Sequence, residues 1–94
     1  MTEERFLREA HSLREQGARL VSLSGRRVKG EVALIYHFDR GSELIRLELT
    51  TRGLSAPSLF SIFPNADLPE RQAAQHFQVK FVGHPNLSLS EAGP

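Results

Sequence analysis

At 94 residues the chain is sized for one small domain with no room for a second core. Twelve basic and eleven acidic side chains nearly cancel, and their dispersal leaves no basic stripe that would neutralise several phosphates, which argues against a nucleic-acid partner. The chain has no cysteine, which excludes disulfides, thiolate nucleophiles and cysteine ligation of an iron–sulfur cluster within it.

The apolar runs, such as Val32 to Tyr36, fall far short of the ~20 residues of a membrane helix, and the first 17 residues are charged rather than signal-like. A soluble, cytoplasmic chain is expected, placed at a membrane only through partners. Per-residue scaling gives a stability of ~5–14 kcal/mol, a margin that leaves room for dependence on a partner.

Phe6, Leu7, Ala10 and Leu13 recur at helical spacing between Glu3 and Gln16, with Thr2 as N-cap and Gly17 at the C-terminal stop, which predicts an amphipathic helix. A first strand is expected over Arg19 to Ser24, with a turn at Ser24-Gly25 and Arg26-Arg27 leading into Val28. Glu31 to Asp39 alternates Val32, Leu34, Tyr36 and Phe38 against Ala33, Ile35 and His37, and two mostly apolar faces predict a central strand. After an Asp39-Arg40-Gly41-Ser42 turn, Leu44 to Thr51 sets Ile45, Leu47 and Leu49 opposite Arg46 and Glu48, the pattern of a hairpin partner covered on one face.

Gly53 to Pro57 reads as a loop. Ser58 is expected to cap a short helix carrying Leu59, Phe60, Ile62 and Phe63, limited by Pro64, and a second helix is expected from near Pro69 with Ala73, Ala74 and Phe77 as its buried stripe. Val79 to Phe81 reads as a last strand before the Gly83-His84-Pro85 turn. Residues 1–87 then make one domain and residues 88–94 a disordered tail. The order α-β-β-β-α-α-β predicts an α+β, two-layer domain with helices on one face of a small, mainly antiparallel or mixed sheet.

Chemistry is sparse. Glu70 and Arg71 open the second helix, where a carboxylate complements the helix N-terminus and a guanidinium fork can reach a carboxylate or carbonyl. They read either as capping plus solvated charge or as ionic contacts with a partner. In Gly83-His84-Pro85, glycine permits positive φ and proline fixes the exit, so His84 either bonds a nearby backbone group or is oriented for function. No second ligand sits at metal spacing from it; His76 is eight residues away, and His11 and His37 are isolated. Ser58 with His76 and Glu70 invites a hydrolase reading, but no nucleophile elbow surrounds the serine. Gly25 and Gly30 form no phosphate-cradling loop. Six phenylalanines, among them Phe60, Phe63, Phe77 and Phe81, supply core or an apolar docking patch.

The stretch SLFSIFPNADLPERQAAQHFQVKFVGHPNL, from Ser58 to Leu87, resembles the C-type subunit of the respiratory NADH:quinone oxidoreductases (complex I) and its short relatives in energy-converting membrane-bound nickel–iron hydrogenases. The matching positions are Ser58, Leu59, Phe63, Ala66, Glu70, Arg71, Phe77, Val79, Phe81, Gly83, His84, Pro85 and Leu87. The Val32 to Leu49 hairpin matches more loosely. Gln72 and Gln75 stand where the family has acids, Gln78 where it has glycine, and Leu68 where respiratory forms have tryptophan.

The resemblance implies a non-catalytic accessory subunit, with no cofactor in this chain and no metal, docked on the large subunit that forms a quinone cavity or nickel–iron site. Glu70, Arg71, Phe63, Gly83, His84 and Pro85 are then the expected interface or motif residues. A diverged stand-alone binding or regulatory module of the same fold is the alternative, and an independent enzyme the least supported reading.

Overall fold

In the computed structural model, which describes residues 2–85, the Thr2 side chain accepts a hydrogen bond from the Arg5 amide and opens α1 (Glu3–Glu15). The helix turns Phe6, Ala10 and Leu13 inward and ends where Gly17 takes φ +80°. Its terminal signals act as the sequence predicts.

Three antiparallel strands follow in the order β1 (Arg19–Val28), β2 (Glu31–Arg40), β3 (Glu43–Thr50). β2 is central, and Val32, Leu34, Tyr36 and Phe38 are all buried. Both helices lie over that face: Phe6 of α1 packs on Tyr36 with ring centroids 5.5 Å apart, and Tyr36 also bonds Glu70 of α2 (Asp67–Phe77). Leu47 and Leu49 extend the covered face onto β3. The opposite face of β1 and β3 is exposed and polar, carrying Ser22, Ser24, Arg46 and Glu48. This is the expected α+β arrangement, a mainly antiparallel sheet with its helices on one side.

The first turn is displaced from its expected place. β1 runs unbroken through Ser24-Gly25 to Val28, and the chain reverses at Lys29-Gly30, where φ is +50° and +82°. Two consecutive positive φ values between residues paired in register belong to a two-residue turn whose twist matches the strands; Val28 pairs with Glu31 across it. Gly25 is a packing position instead. It pairs with Leu34, and a Cβ there would stand 2.9 Å from Phe77 Cε2.

The segment expected as a loop contains β4 (Ser55–Pro57), which pairs in parallel with β5 (Lys80–Val82). A parallel partner beyond an intervening helix leaves no local signature in so short a strand. The short helix expected after Ser58 is also absent. Ile62 and Phe63 amides both bond the Leu59 carbonyl, which makes one turn, and Pro64, lacking an N–H, ends it. A 3₁₀ turn at Pro64–Ala66 leads into α2, which begins at Asp67 rather than at Pro69. The tail expected over residues 88–94 lies outside the described residues.

The C-terminus of α2 is held against the β1–β2 turn by Arg27, which donates to the Phe77 carbonyl (3.2 Å) and to Gln78 Oε1 (2.5 Å), with its guanidinium 5.9 Å from the Phe77 ring centroid. A cation at this end also complements the helix dipole. Because Phe77 is pinned on that side, Gly25→Ala is expected to cost about 1–2 kcal/mol in denaturant unfolding. The cost should shrink when Phe77→Ala is already present, a coupling that a double-mutant cycle measures.

Candidate functional site

The densest polar chemistry lies under the first turn of α2. Glu70 is fully buried (0% exposed), because residues 70 and 73 share the helix face laid on the sheet. Its carboxylate meets three donors from two other segments: the Tyr36 hydroxyl (2.7 Å) and the Leu59 amide (2.8 Å) on Oε2, and the Ser58 hydroxyl (2.5 Å) on Oε1. Ser58 Oγ in turn accepts from the Phe60 amide at 3.0 Å, which fixes the turn that follows β4.

A second layer closes over this carboxylate from the end of the chain. His84 is buried, and its Nε2 lies 3.2 Å from both the carbonyl oxygen and Oδ1 of Asp67 and 4.0 Å from Glu70 Oε1. Oxygens that only accept require Nε2 to carry the proton. The Phe60 ring covers the imidazole at a centroid distance of 5.6 Å. Asp67 also pairs with Arg71 Nε at 3.1 Å, one helical turn on.

Burial raises the Glu70 carboxyl above its ordinary pKa, and the Leu59, Ser58 and Tyr36 hydrogen bonds with the nearby His84 pull the other way without cancelling it. The Tyr36 phenol is pushed well up by burial and by the adjacent carboxylate. Nowhere among the described residues do His, Cys, Asp and Glu side chains gather in a group able to hold a metal ion.

The structure therefore sorts the six residues expected at a partner interface. Glu70, Phe63 and His84 are buried within the chain; Arg71, Gly83 and Pro85 are exposed. The expectation that Glu70 makes an ionic contact with a partner is corrected, since its oxygens face Tyr36, Ser58 and Leu59. Phe63 packs against Phe38 with centroids 5.1 Å apart. Of the hydrolase trio, Ser58 and Glu70 do meet, but His76 is exposed and stacks edge-on to Phe77.

Two members were not anticipated as polar partners, Tyr36 and Asp67. The signal for the first was present: the single tyrosine of the chain in an otherwise apolar row needs a partner for its hydroxyl when buried. Asp67 stood three residues before Glu70, a spacing that becomes a shared face only once the helix is known to start there.

Compared with known proteins, residues 1–90 match the model of the family described as respiratory-chain NADH dehydrogenase, 30 Kd subunit. The chain is 36% identical over 61 residues to an NADH-quinone oxidoreductase C/D subunit of Proteus mirabilis, covering 61% of this chain and 10% of that protein. It is 37% identical over 59 residues to the C/D subunit of Buchnera aphidicola, covering 58% of this chain and 10% of the relative. The chain thus spans about a tenth of the length of these curated relatives. No solved structure matches it.

Glu70→Ala would leave three buried donors without an acceptor, at about 1–3 kcal/mol each, so a loss of roughly 3 kcal/mol or more is expected. Glu70→Gln can keep the Tyr36 and Leu59 bonds on its oxygen and donate to Ser58 through its nitrogen, so about 1 kcal/mol is expected. The pH dependence separates the two effects. Between the unfolded and the raised folded pKa of Glu70, the folded chain holds a proton that the unfolded chain has released, so stability falls as pH rises through that window and levels off above it. Urea unfolding across pH should show this slope in the native chain and its removal in Glu70→Gln.

Proposed function

Because the chain belongs to the respiratory-chain NADH dehydrogenase 30 Kd subunit family, we propose that it is a non-catalytic accessory subunit of a complex I-like NADH dehydrogenase or a membrane-bound hydrogenase. In this reading it docks on the large catalytic subunit, and iron–sulfur clusters, nickel–iron or quinone belong to partner subunits. It would associate with a membrane through those partners; no helix of the described residues is long and apolar enough to cross one.

The observation that carries the proposal is the family match across residues 1–90. The geometry adds how docking would be served. The buried Glu70 ties the first turn of α2 to the segment after β4, His84 on Asp67 ties it to the segment after β5, and that clamp sets the outward positions of Leu68, Arg71, Gly83 and Pro85, all exposed. Leu68 on α2 is 55% exposed and Val82 on β5 is 58% exposed, apolar area of the kind that forms the centre of an interface, with Arg71 as a charged anchor one helical turn from Leu68. The buried polar cluster is a positioning device in this scheme, and the contact is made by the residues it holds outward.

A tagged chain recovered from its native cell tests the reading. Recovery of a large quinone-reductase or hydrogenase subunit with its iron–sulfur and membrane partners is expected from detergent-solubilised membranes. Recovery of the chain alone would overturn the proposal in favour of a stand-alone module. Arg71→Glu should reduce recovery of the large subunit about tenfold while the thermal midpoint stays within a few degrees, since its pair with the half-buried Asp67 is open to solvent on the arginine side and contributes about 1 kcal/mol or less. Undiminished recovery would remove Arg71 from the interface.

A further inference from the structure

The two edges of the three-stranded sheet are treated differently. Each outer strand has a helix packed on its core-facing side, α2 on β1 and α1 on β3, but among the described residues only along β1 does a side chain bond the backbone, Asn65 Nδ2 donating to the Leu20 carbonyl (2.9 Å). Along β3, among the described residues, no hydrogen bond from an element other than β2 reaches the backbone of residues 43–50. This edge is eight residues long, pairs with β2 without a bulge and contains no proline. Native edges are ordinarily covered, kinked or shortened, because an open one is a template for another strand.

The direction of the open groups follows from the hairpin. Gly41 takes φ +64° between the paired residues Arg40 and Glu43, and in a two-residue hairpin that flanking pair exchanges both hydrogen bonds. The alternation continues to Val32, whose carbonyl accepts from the Thr51 amide at 2.9 Å. The N–H and C=O groups of Leu44, Arg46, Glu48 and Thr50 therefore point away from β2.

We propose that this edge pairs antiparallel with the same edge of a second copy of the chain, about a two-fold axis through Leu47. That register sets Leu44 opposite Thr50 and Arg46 opposite Glu48 of the other copy, and every residue in those pairs carries outward backbone groups. About eight interchain hydrogen bonds result. On the exposed face, each Arg46 meets a Glu48; on the other face Leu47 and Leu49 are already buried within each copy, so the pairing rests on the backbone ladder and the charged pairs.

Charge and ladder length together select this register, because an axis through Ile45 or Leu49 pairs fewer residues of the strand. An axis through Arg46 would oppose two arginines and one through Glu48 two glutamates, and like charges directly opposite are destabilising. Within one copy, Arg46 Nη2 and Glu48 Oε1 are 3.9 Å apart and well exposed, so both are available to a second copy. Leu44, 83% exposed, would lie against Thr50 instead of water. The strand is self-complementary, which is what an isologous interface requires.

Sedimentation equilibrium of the full chain over a wide concentration range tests the pairing. A reversible dimer is expected, and hydrogen exchange at the Leu44, Arg46, Glu48 and Thr50 amides should slow as concentration rises. Arg46→Glu and Glu48→Arg should each weaken the dimer roughly tenfold, and the Arg46→Glu/Glu48→Arg double exchange should restore it to within about threefold of the native chain. A chain that stays monomeric at every concentration overturns the proposal, and an edge that captures a strand only from a different protein would give that result. A dimer indifferent to the single exchanges, not recovered by the double one, or without concentration-dependent protection of those amides overturns it as well.

Discussion

A single buried carboxylate holds the two halves of this domain in register. Glu70 accepts from Tyr36 on the central strand and from Ser58 and Leu59 just after β4, so one side chain of α2 fixes the helix to the sheet and to the crossover that precedes it. Desolvating a carboxylate is unfavourable, and the raised pKa records the part that the three hydrogen bonds do not offset. What the arrangement gains is uniqueness of position. Apolar contacts would let α2 slide or rotate over the sheet at small cost, whereas a displaced Glu70 leaves buried donors without acceptors.

The same carboxylate explains how so short a segment after α2 is ordered. β5 has only three residues and pairs with a three-residue partner, too little ladder to be stable by itself. Phe81 enters the core, and shortly after it His84 turns back onto Asp67 beside Glu70. Gly83, at φ +92°, makes that reversal without the steric conflict a Cβ would bring. The turn is thus closed by side-chain chemistry on the helix.

How much of this was legible in the sequence divides along the range of the interactions. α1, β2 and β3 carry their own periodicity and end signals, and Thr2, Gly17 and the alternation from Val32 to Phe38 act as local patterning says they should. The errors concern residues whose state is set by distant partners. Gly25 looked like a turn residue because glycine usually is one, while its reason here is the ring of Phe77, far along the chain. Ser55 to Pro57 looked like a loop because its ladder partner lies beyond a helix. Ser58 looked like a helix cap, and it does accept an amide two residues on, but its proton goes to Glu70. The family resemblance picked out Glu70 and His84 without saying that both point inward, since a motif records residue order and not the side from which each is read.

Three of the four positions where the resemblance implies a different residue, Gln72, Gln75 and Gln78, fall into two physical kinds once they are placed. Gln72 and Gln75 are exposed on α2, where a neutral amide in place of an acid alters the surface charge and leaves the packing alone. Gln78 lies at the helix C-cap with φ +57°, the left-handed conformation that explains a glycine in the pattern and that costs an L-residue about 1 kcal/mol. Here that residue has a compensation glycine lacks: its side chain accepts from Arg27 and donates to the Gln75 carbonyl at 2.9 Å, tying the helix end to the β1–β2 turn. Arg27 holds Phe77, and Phe77 occupies the space that Gly25 leaves open. The substitution at residue 78 is therefore coupled to a glycine in β1, so the backbone strain it introduces is offset through contacts across the core-facing side of the sheet. The two exposed glutamines have no such compensation to find, and their effect is confined to the surface electrostatics of α2.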